Sequence, residues 1–544
     1  MSRRVACCFL AFFVFAVCLQ WRDGAFRAEF SGSDEAAHFV TSLMVHDYVA
    51  ASMPGSPVKF AQDYYARYPK VAFGIWPPLF HLSQAAWMLA LSPSRASVLI
   101  LMAMWAAILA AGCFLAVRSR FGFFAGALLG IVLISLPEIQ AAANTVMADL
   151  MMSCFIFGAA FYFGRYLDSA KTRDALLFGL LSATAILVKY NALSLALVPP
   201  FAMLLARRFD PLRRRSFWLP ALVVLLLCGP WYLYNRQLVR YAMDPVPGIA
   251  DIPRAMQVNL AALIALTGAP LFLLAVLGAF AKLRPASRET ARAGVWPAAA
   301  SLILALWFFH SVLYPSTEGR YLLAAAPALL LFAAAGCQEA ARWLAPRLSL
   351  RQAPFFAVLV SACMVYGAVT FRIRTKESYG ISEVAGKLFR DSGDAQDLFL
   401  VSGSPETEGM LISEMALRDR NGRHCVLRAS KVLARSTWMG GNYEVLYQTP
   451  EQIAQFLREL PLKAIVFDRS RQYNRPHHRL LEQALAAEPA LWAPQQMGNL
   501  EMVQVYRRTE PVPATAGTAV YLDLSRTLGL SVEVPGVKAA ARVQ

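Results

Sequence analysis

Runs of about 20 apolar residues recur along this chain, and they limit its fold more than any other feature. A bilayer core of ~30 Å takes about 20 helical residues to cross, and within it each helix must satisfy its own backbone hydrogen bonds. Ser97 to Val117, Leu260 to Ala281 and Ala353 to Phe371 are runs of this kind. Of 544 residues, 57% are hydrophobic and 16% charged, a balance foreign to ordinary soluble domains. Counting the runs predicts about eleven crossings, at 5–21, 97–117, 121–141, 150–167, 175–188, 192–206, 216–234, 258–281, 294–313, 321–337 and 353–371. The first follows Arg3-Arg4 in the manner of a signal peptide, but no small-residue cleavage site comes after it, so it is expected to stay as a first helix. Pro78 to Leu91 is apolar but short, and reads as a surface or re-entrant helix.

The formal net charge of +17 would suit nucleic acid in a soluble protein, but in a polytopic one Lys and Arg mark the cytoplasmic loops. With 78–91 not crossing, one set of loops holds Arg3, Arg4, Arg118, Arg120, Arg165, Lys171, Arg173, the run Arg207 to Arg215, Lys282, Arg284, Arg288, Arg292, Arg342, Arg347 and Arg351. The short loops of the other set hold only Lys189, Arg236, Arg240, Arg254 and Arg320. This asymmetry places the N-terminus in the cytoplasm, and the first loop, 22–96, together with everything after residue 371, outside. No nucleic-acid partner is expected.

The expected fold is therefore an α-helical polytopic membrane protein, residues 1–371, followed by an extramembrane α/β domain, 372–510, and a weakly structured tail, 511–544, with one loosely attached strand. In the domain, Asp397 to Ser402, Cys425 to Arg428, Ala464 to Asp468 and Met502 to Tyr506 read as strands, and Glu406 to Arg420 and Pro450 to Leu460 as helices.

An ionisable group at mid-membrane costs about 2.5–3.5 kcal/mol even on the lenient insertion scale, so polar residues at the outer ends of the spans need a reason to be there. Ser31 or Ser33 can cap a helix with Asp34 and Glu35 in its first turn; Asp34, His38 and Thr41 then share a face. A carboxylate so placed can take a proton from an attacking hydroxyl, although a solvated helix start is the plainer reading of the pair. Arg67 and Lys70, ahead of Trp76-Pro77-Pro78, form a basic and aromatic stretch that suits either a lipid phosphate or headgroup anchoring. Asp149, Lys189 and the pair Arg320-Tyr321 complete the set, Arg320 being suited to bidentate phosphate contact. The loop assignment puts all of them on one side of the membrane, as an enzyme working at one leaflet requires. A transporter or lipid flippase would more naturally place its ionisable groups at the midplane, and a non-catalytic envelope-assembly subunit is a third reading. No metal-type Cys/His spacing and no phosphate-binding glycine motif occurs.

Residues 1–375 resemble the GT-C glycosyltransferases, in the branch of the protein O-mannosyltransferases and the lipid A aminoarabinose transferase. The resemblance rests on Asp34-Glu35 soon after the first span, Trp76-Pro77-Pro78-Leu79 before a short helix, Asn144 to Asp149 before a span, Gly179 to Leu193, Gly229-Pro230-Trp231-Tyr232, and Gly319-Arg320-Tyr321-Leu322-Leu323. It implies a polyprenyl-phosphate sugar donor and transfer with inversion at the periplasmic face of the inner membrane. The acceptor would be a glycan, lipid or protein. By the same resemblance Asp34 is the main catalytic carboxylate, with Glu35 beside it. Lys189 and Arg320 would lie near donor phosphate and Asp149 near sugar or acceptor. No cofactor is implied; Asp34 and Asp149 could hold a divalent cation, but relatives on this branch generally work without one. Many relatives have Lys directly before the Pro-Pro-Leu, where this chain has Trp76.

Overall fold

A computed structural model describes residues 3–539 apart from 73, 243–247, 285–292, 394, 439, 471–472, 498–499, 501, 512–517 and 525–529. Arg288, Arg292 and parts of the 511–544 tail thus lie outside the described residues. The chain is a multi-pass membrane protein: eight of its helices are long and apolar enough to cross a bilayer, and shorter apolar helices supplement them.

Following the chain, the passes are Arg3–Arg22, the two halves of Arg95–Ser135, Asp149–Ser169, Thr172–Val188, Tyr190–Ala206, Arg215–Tyr234, Ile252–Thr267 joined to Ala269–Leu283, Val295–Leu313, Gly319–Leu344 and Gln352–Thr370. Eleven passes follow when the kinked Arg95–Ser135 helix counts twice and the shorter Thr172–Val188 and Tyr190–Ala206 helices are taken with the eight long ones. Contacts sort their ends. At one end the Gly294 N–H donates to Asp168 at 2.6 Å, Arg120 lies over Trp296, and Lys282 meets Glu339 at 3.5 Å. At the other, Arg22 reaches Gln140 at 2.7 Å and Lys189 reaches Asp149 at 2.7 Å.

Local chemistry explains the interruptions. Ser94 caps the long helix through the Ser97 N–H, and Gly122, at φ 89, folds that helix into two passes. The run read as one span over 258–281 is longer and broken at Gly268, whose φ of 75 no helix accommodates. Pro199-Pro200 cannot donate backbone bonds, so that pass begins as a 3₁₀ stretch, Tyr190–Leu197, before Val198–Ala206. Pro78 to Leu91 holds a helix, Leu79–Ala90, that does not cross. It packs on Glu35–Ala50 and also touches the Arg95–Ser135 and Thr172–Val188 helices.

The C-terminal region is α/β. Its strands are β1 (Leu398–Ser402), β2 (Cys425–Arg428), β3 (Ala434–Arg435), β4 (Glu444–Val445), β5 (Leu462–Asp468), β6 (Trp492–Gln495), β7 (Val503–Arg508), β8 (Thr518–Leu524) and β9 (Leu530–Ala539). The main sheet has the order β2-β1-β5-β7-β6, with β1 parallel to β2 and β5, and β7 antiparallel to β5 and β6. Helices Pro405–Arg418, capped by Ser404, and Pro450–Glu459, with a Thr449/Gln452 capping box, fall where the sequence predicts them. Beyond residue 511, where one loose strand is expected, β8 and β9 pair as a hairpin against Pro57–Arg67, with Val532 and Val534 buried.

Lipid offers no hydrophobic force between helices, so close backbone approach does the packing. A Cβ on Gly336 would overlap the Leu274 carbonyl, and one on Gly278 the Phe332 carbonyl. Gly336→Ala is expected to cost about 1–3 kcal/mol by overpacking, seen as a lower unfolding temperature in detergent. Gly229→Ala, where the nearest atom is 3.8 Å away, should leave that temperature unchanged.

Candidate functional site

Between the bundle end and the C-terminal domain lies a cavity of about 840 Å³. Its floor comes from four separated stretches: Ser33 to His38, Lys70 with Trp76-Pro77, Lys189-Tyr190, and Tyr314 to Tyr321. Asp251 and Arg254, at the start of the Ile252 helix, form a wall. The C-terminal domain is the roof.

Asp34 occupies the N-cap position of the Glu35–Ala50 helix without making a side-chain cap bond. Its carboxylate is therefore open to other partners. The side chain is 36% exposed and accepts from Arg320 Nη2 at 3.1 Å. His38, one turn on, stacks on Trp76 at 3.9 Å between ring centroids and on His81 at 5.3 Å, and the Nδ1 of His81 meets Ser42 Oγ at 3.1 Å. Burial, then repulsion by His81, Lys189 and Arg320, holds the His38 imidazole well below its usual pKa, so it is neutral at pH 7. Its Nδ1 is buried with no partner among the described residues.

Lys189 ends the Thr172–Val188 pass, and its Nζ lies 2.7 Å from Asp149 Oδ1 and 4.9 Å from the Tyr321 ring centroid. Arg320 lies 5.5 Å from the same centroid. Tyr321 thus seats both cations side by side. Asp149 is buried behind the lining, with Oδ2 unpartnered among the described residues. Lys70 lines the cavity, 5% exposed, and donates to the Ser33 carbonyl at 3.1 Å. Burial and then Arg428 push its pKa down to about 7, against the opposing pull of Glu408, Asp34 and Glu406.

Two sequence candidates point elsewhere. Glu35, adjacent to Asp34 in sequence but about 100° round the helix, turns into the protein. It is buried, accepting from Lys376 Nζ at 3.2 Å, the Gly32 N–H at 3.2 Å and the Val146 N–H at 3.0 Å. It does not line the cavity, so it has no route to substrate there. Arg67 ends the Pro57–Arg67 helix with its guanidinium against Gly422 of the C-terminal domain, likewise away from the cavity.

The roof supplies residues that sequence reading missed: Arg428, Lys431, Trp438, Tyr443, Tyr473, Arg475 and His477. Their only sequence signal is basic and aromatic residues in separated loops, which no spacing rule flags. With them the lining carries Lys70, Lys189, Arg254, Arg320, Arg428, Lys431 and Arg475 against Asp34, Asp251 and Glu318. Such a cavity draws in anions and keeps a carboxylate beside them. Among the described residues no group of three or more His, Cys, Asp or Glu side chains gathers as a metal site.

The family described as Dolichyl-phosphate-mannose-protein mannosyltransferase matches residues 76–234. No curated protein matches the chain by sequence. Among solved structures, ArnT from Cupriavidus metallidurans in the apo state superposes with a TM-score of 0.62 at 14% identity, over 91% of this chain and 97% of that one. The same protein bound to undecaprenyl phosphate gives 0.59 over the same shares. The oligosaccharyltransferase AglB from Archaeoglobus fulgidus, in complex with an inhibitory peptide and a dolichol-phosphate, gives 0.53 at 11% identity, over 98% of this chain and 76% of that one. The chain has the GT-C fold.

Removing one partner of a buried ion pair strands the other. Lys189→Met is expected to destabilise the protein by about 3–5 kcal/mol, and adding Asp149→Asn should recover part of that loss in a double-mutant comparison of detergent unfolding.

Proposed function

We propose that the protein is a membrane glycosyltransferase that moves a sugar from a polyprenyl-phosphate donor to an acceptor hydroxyl, with inversion, on the outer, periplasmic face of the inner membrane. The observation that carries this reading is Asp34: a carboxylate not used as a helix cap, open to the cavity and flanked by Arg320 and Lys189. The undecaprenyl phosphate and dolichol-phosphate bound by structures of the same fold support a lipid-linked donor. The orientation is supported by the Lys and Arg of the loops, most of which lie at the end away from the cavity.

In the reaction the donor's phosphate takes Arg320 and Lys189, drawing Arg320 off Asp34. The freed carboxylate accepts the proton of the acceptor hydroxyl as its oxygen bonds to the anomeric carbon. The bond from that carbon to the phosphate oxygen breaks, and polyprenyl phosphate leaves with the electron pair, its negative charge met by Arg320 and Lys189. A single displacement of this kind inverts the anomeric centre. His38, neutral and stacked on Trp76, presents an apolar and hydrogen-bonding surface beside Asp34. The acceptor's class, whether glycan, lipid or protein, does not follow from Asp34 itself. A transporter would place its charges at mid-membrane, whereas here they gather at one end.

Asp34→Asn is expected to lower transfer of labelled sugar from polyprenyl-phosphate donors in membranes by about 10²- to 10⁴-fold while leaving undecaprenyl phosphate binding intact. Arg320→Gln should weaken that binding. Equal transfer by Asp34→Asn and wild type would remove Asp34 from the chemistry, and absence of transfer from any donor would favour the transporter or assembly readings.

A further inference from the structure

Where roof meets floor, the Lys70 ammonium makes no ion pair among the described residues, although Glu408, Asp34 and Glu406 act on it from farther off. Arg428 projects from β2 and its Nε is held at 2.7 Å by Glu408, whose carboxylate also accepts from Ser430 Oγ at 2.6 Å and the Ser430 N–H at 3.1 Å. Three of the carboxylate's roughly four acceptor sites are thereby taken. Arg428 also donates to the Pro69 carbonyl at 3.4 Å, which brings the roof against the residue before Lys70. Lys70 has three N–H groups to offer, and among the described residues its ammonium bonds the uncharged Ser33 carbonyl and ion-pairs with no carboxylate. Asp34, on the floor beside it, is taken by Arg320.

The fold makes room for this lysine. Gly409 lies inside the Pro405–Arg418 helix, and a Cβ there would sit 3.0 Å from Ala36 Cβ and 3.1 Å from Lys70 Cε. Glycine in a helix costs about 0.5–1 kcal/mol relative to alanine, so the helix gives up stability where the ammonium passes. Lys431 lines the same part of the cavity, held by the Ser436 and Thr437 carbonyls. For Lys70, burial beside other cations with a neutral carbonyl as hydrogen-bond partner is unfavourable until an anion joins it. Trp438 and Tyr443 stand next to the cluster as flat aromatic faces.

We propose that Lys70 and Arg428, with Lys431, form a second anion subsite, separate from Lys189 and Arg320, which binds a phosphate or carboxylate of the acceptor. This rests on the glycosyltransferase reading above and gives its acceptor a class: a negatively charged saccharide, gripped by its anionic group while a neighbouring hydroxyl faces Asp34. Roof and floor then divide the substrates, the membrane helices taking the donor phosphate and the C-terminal domain the acceptor. Lys70 must be protonated to bind. Burial and then Arg428 push its pKa down, Glu408, Asp34 and Glu406 raise it, and the result is about 7; Lys431 faces the same cluster. Anion affinity at this subsite therefore falls as pH rises through about 7.

The test follows thermal unfolding of the full chain in detergent, titrated with sulfate at constant ionic strength, with and without saturating undecaprenyl phosphate. Acetate replaces sulfate in a second arm, to tell a phosphate-like from a carboxylate preference. Expected is a saturable stabilisation by one of the two anions that persists in undecaprenyl phosphate and weakens between pH 6 and 8.5. Lys70→Met should lower the anion's affinity by about tenfold or more while keeping the undecaprenyl phosphate response, which also shows that the variant folds. Lys70→Arg should retain the anion response and flatten its pH dependence. The proposal is overturned if neither anion acts saturably, if undecaprenyl phosphate abolishes the anion's effect, or if Lys70→Met leaves that effect unchanged. A wild type that responds to sulfate but not to undecaprenyl phosphate would count against the donor reading instead.

Discussion

One buried ion pair, Glu35 with Lys376, ties together the parts of the chain that make the site. Lys376 follows the last membrane pass, and its ammonium also donates to the Asn144 carbonyl at 2.9 Å, while its own N–H bonds the Asp23 carbonyl at 2.8 Å. Glu35 in turn accepts from Gly32 and Val146. The exit from the first pass, the loop before Asp149 and the entry to the C-terminal domain therefore meet at one carboxylate. Glu29 repeats the arrangement nearby, accepting from Ser378, Tyr379 and Ser382. In a buried setting such a pair sets geometry more than it adds stability. What it sets here is the first turn of the helix that carries Asp34.

The C-terminal domain is bound to this floor along its whole near side. Tyr68 donates to Asp419 at 2.5 Å, Arg95 pairs with Glu414 at 2.6 Å, and Gly409 lies against Ala36 and Lys70. These contacts roof one side of the cavity, and an ion pair gains wherever such cover lowers the local dielectric. Lys189 and Arg320 each ion-pair with a carboxylate, Asp149 or Asp34, whereas Lys70 ion-pairs with none among the described residues. That difference separates groups poised to exchange partners from one that waits for an anion.

Much of the fold is legible in the sequence because the bilayer is a demanding solvent. Apolar runs, their lengths and the loop basic residues follow from the cost of burying unsatisfied or charged groups, a cost paid locally and so written locally. The strands around Phe399, Val426, Val466 and Val505 and the capped helices at Ser404 and Thr449 were readable for the same reason. Gly268 was not, since a glycine within an apolar run looks the same whether the helix bends there or continues. Helices Ile381–Ser392 and Pro476–Ala487 are amphipathic and carry a readable period that the sequence reading passed over, whereas the β8-β9 hairpin owes its place to packing.

Site residues divide along the same line. The sequence by itself determined a polytopic chain with an α/β domain after the last pass, and it marked Asp34, His38, Lys70, Asp149, Lys189, Arg320 and Tyr321 as ionisable or aromatic groups at span ends. Those facts depend on neighbours along the chain. Only the tertiary structure decided that Asp34 faces the cavity while Glu35 is sealed behind it, that Arg67 turns to the C-terminal domain, and that Arg428, Lys431, Arg475 and their aromatic neighbours form the roof. The physical reason is that a side chain's role in a cavity depends on its direction and on which distant segment closes over it. Direction changes by about 100° from one helical residue to the next, and the closing segment here lies hundreds of residues away, beyond the reach of any local pattern.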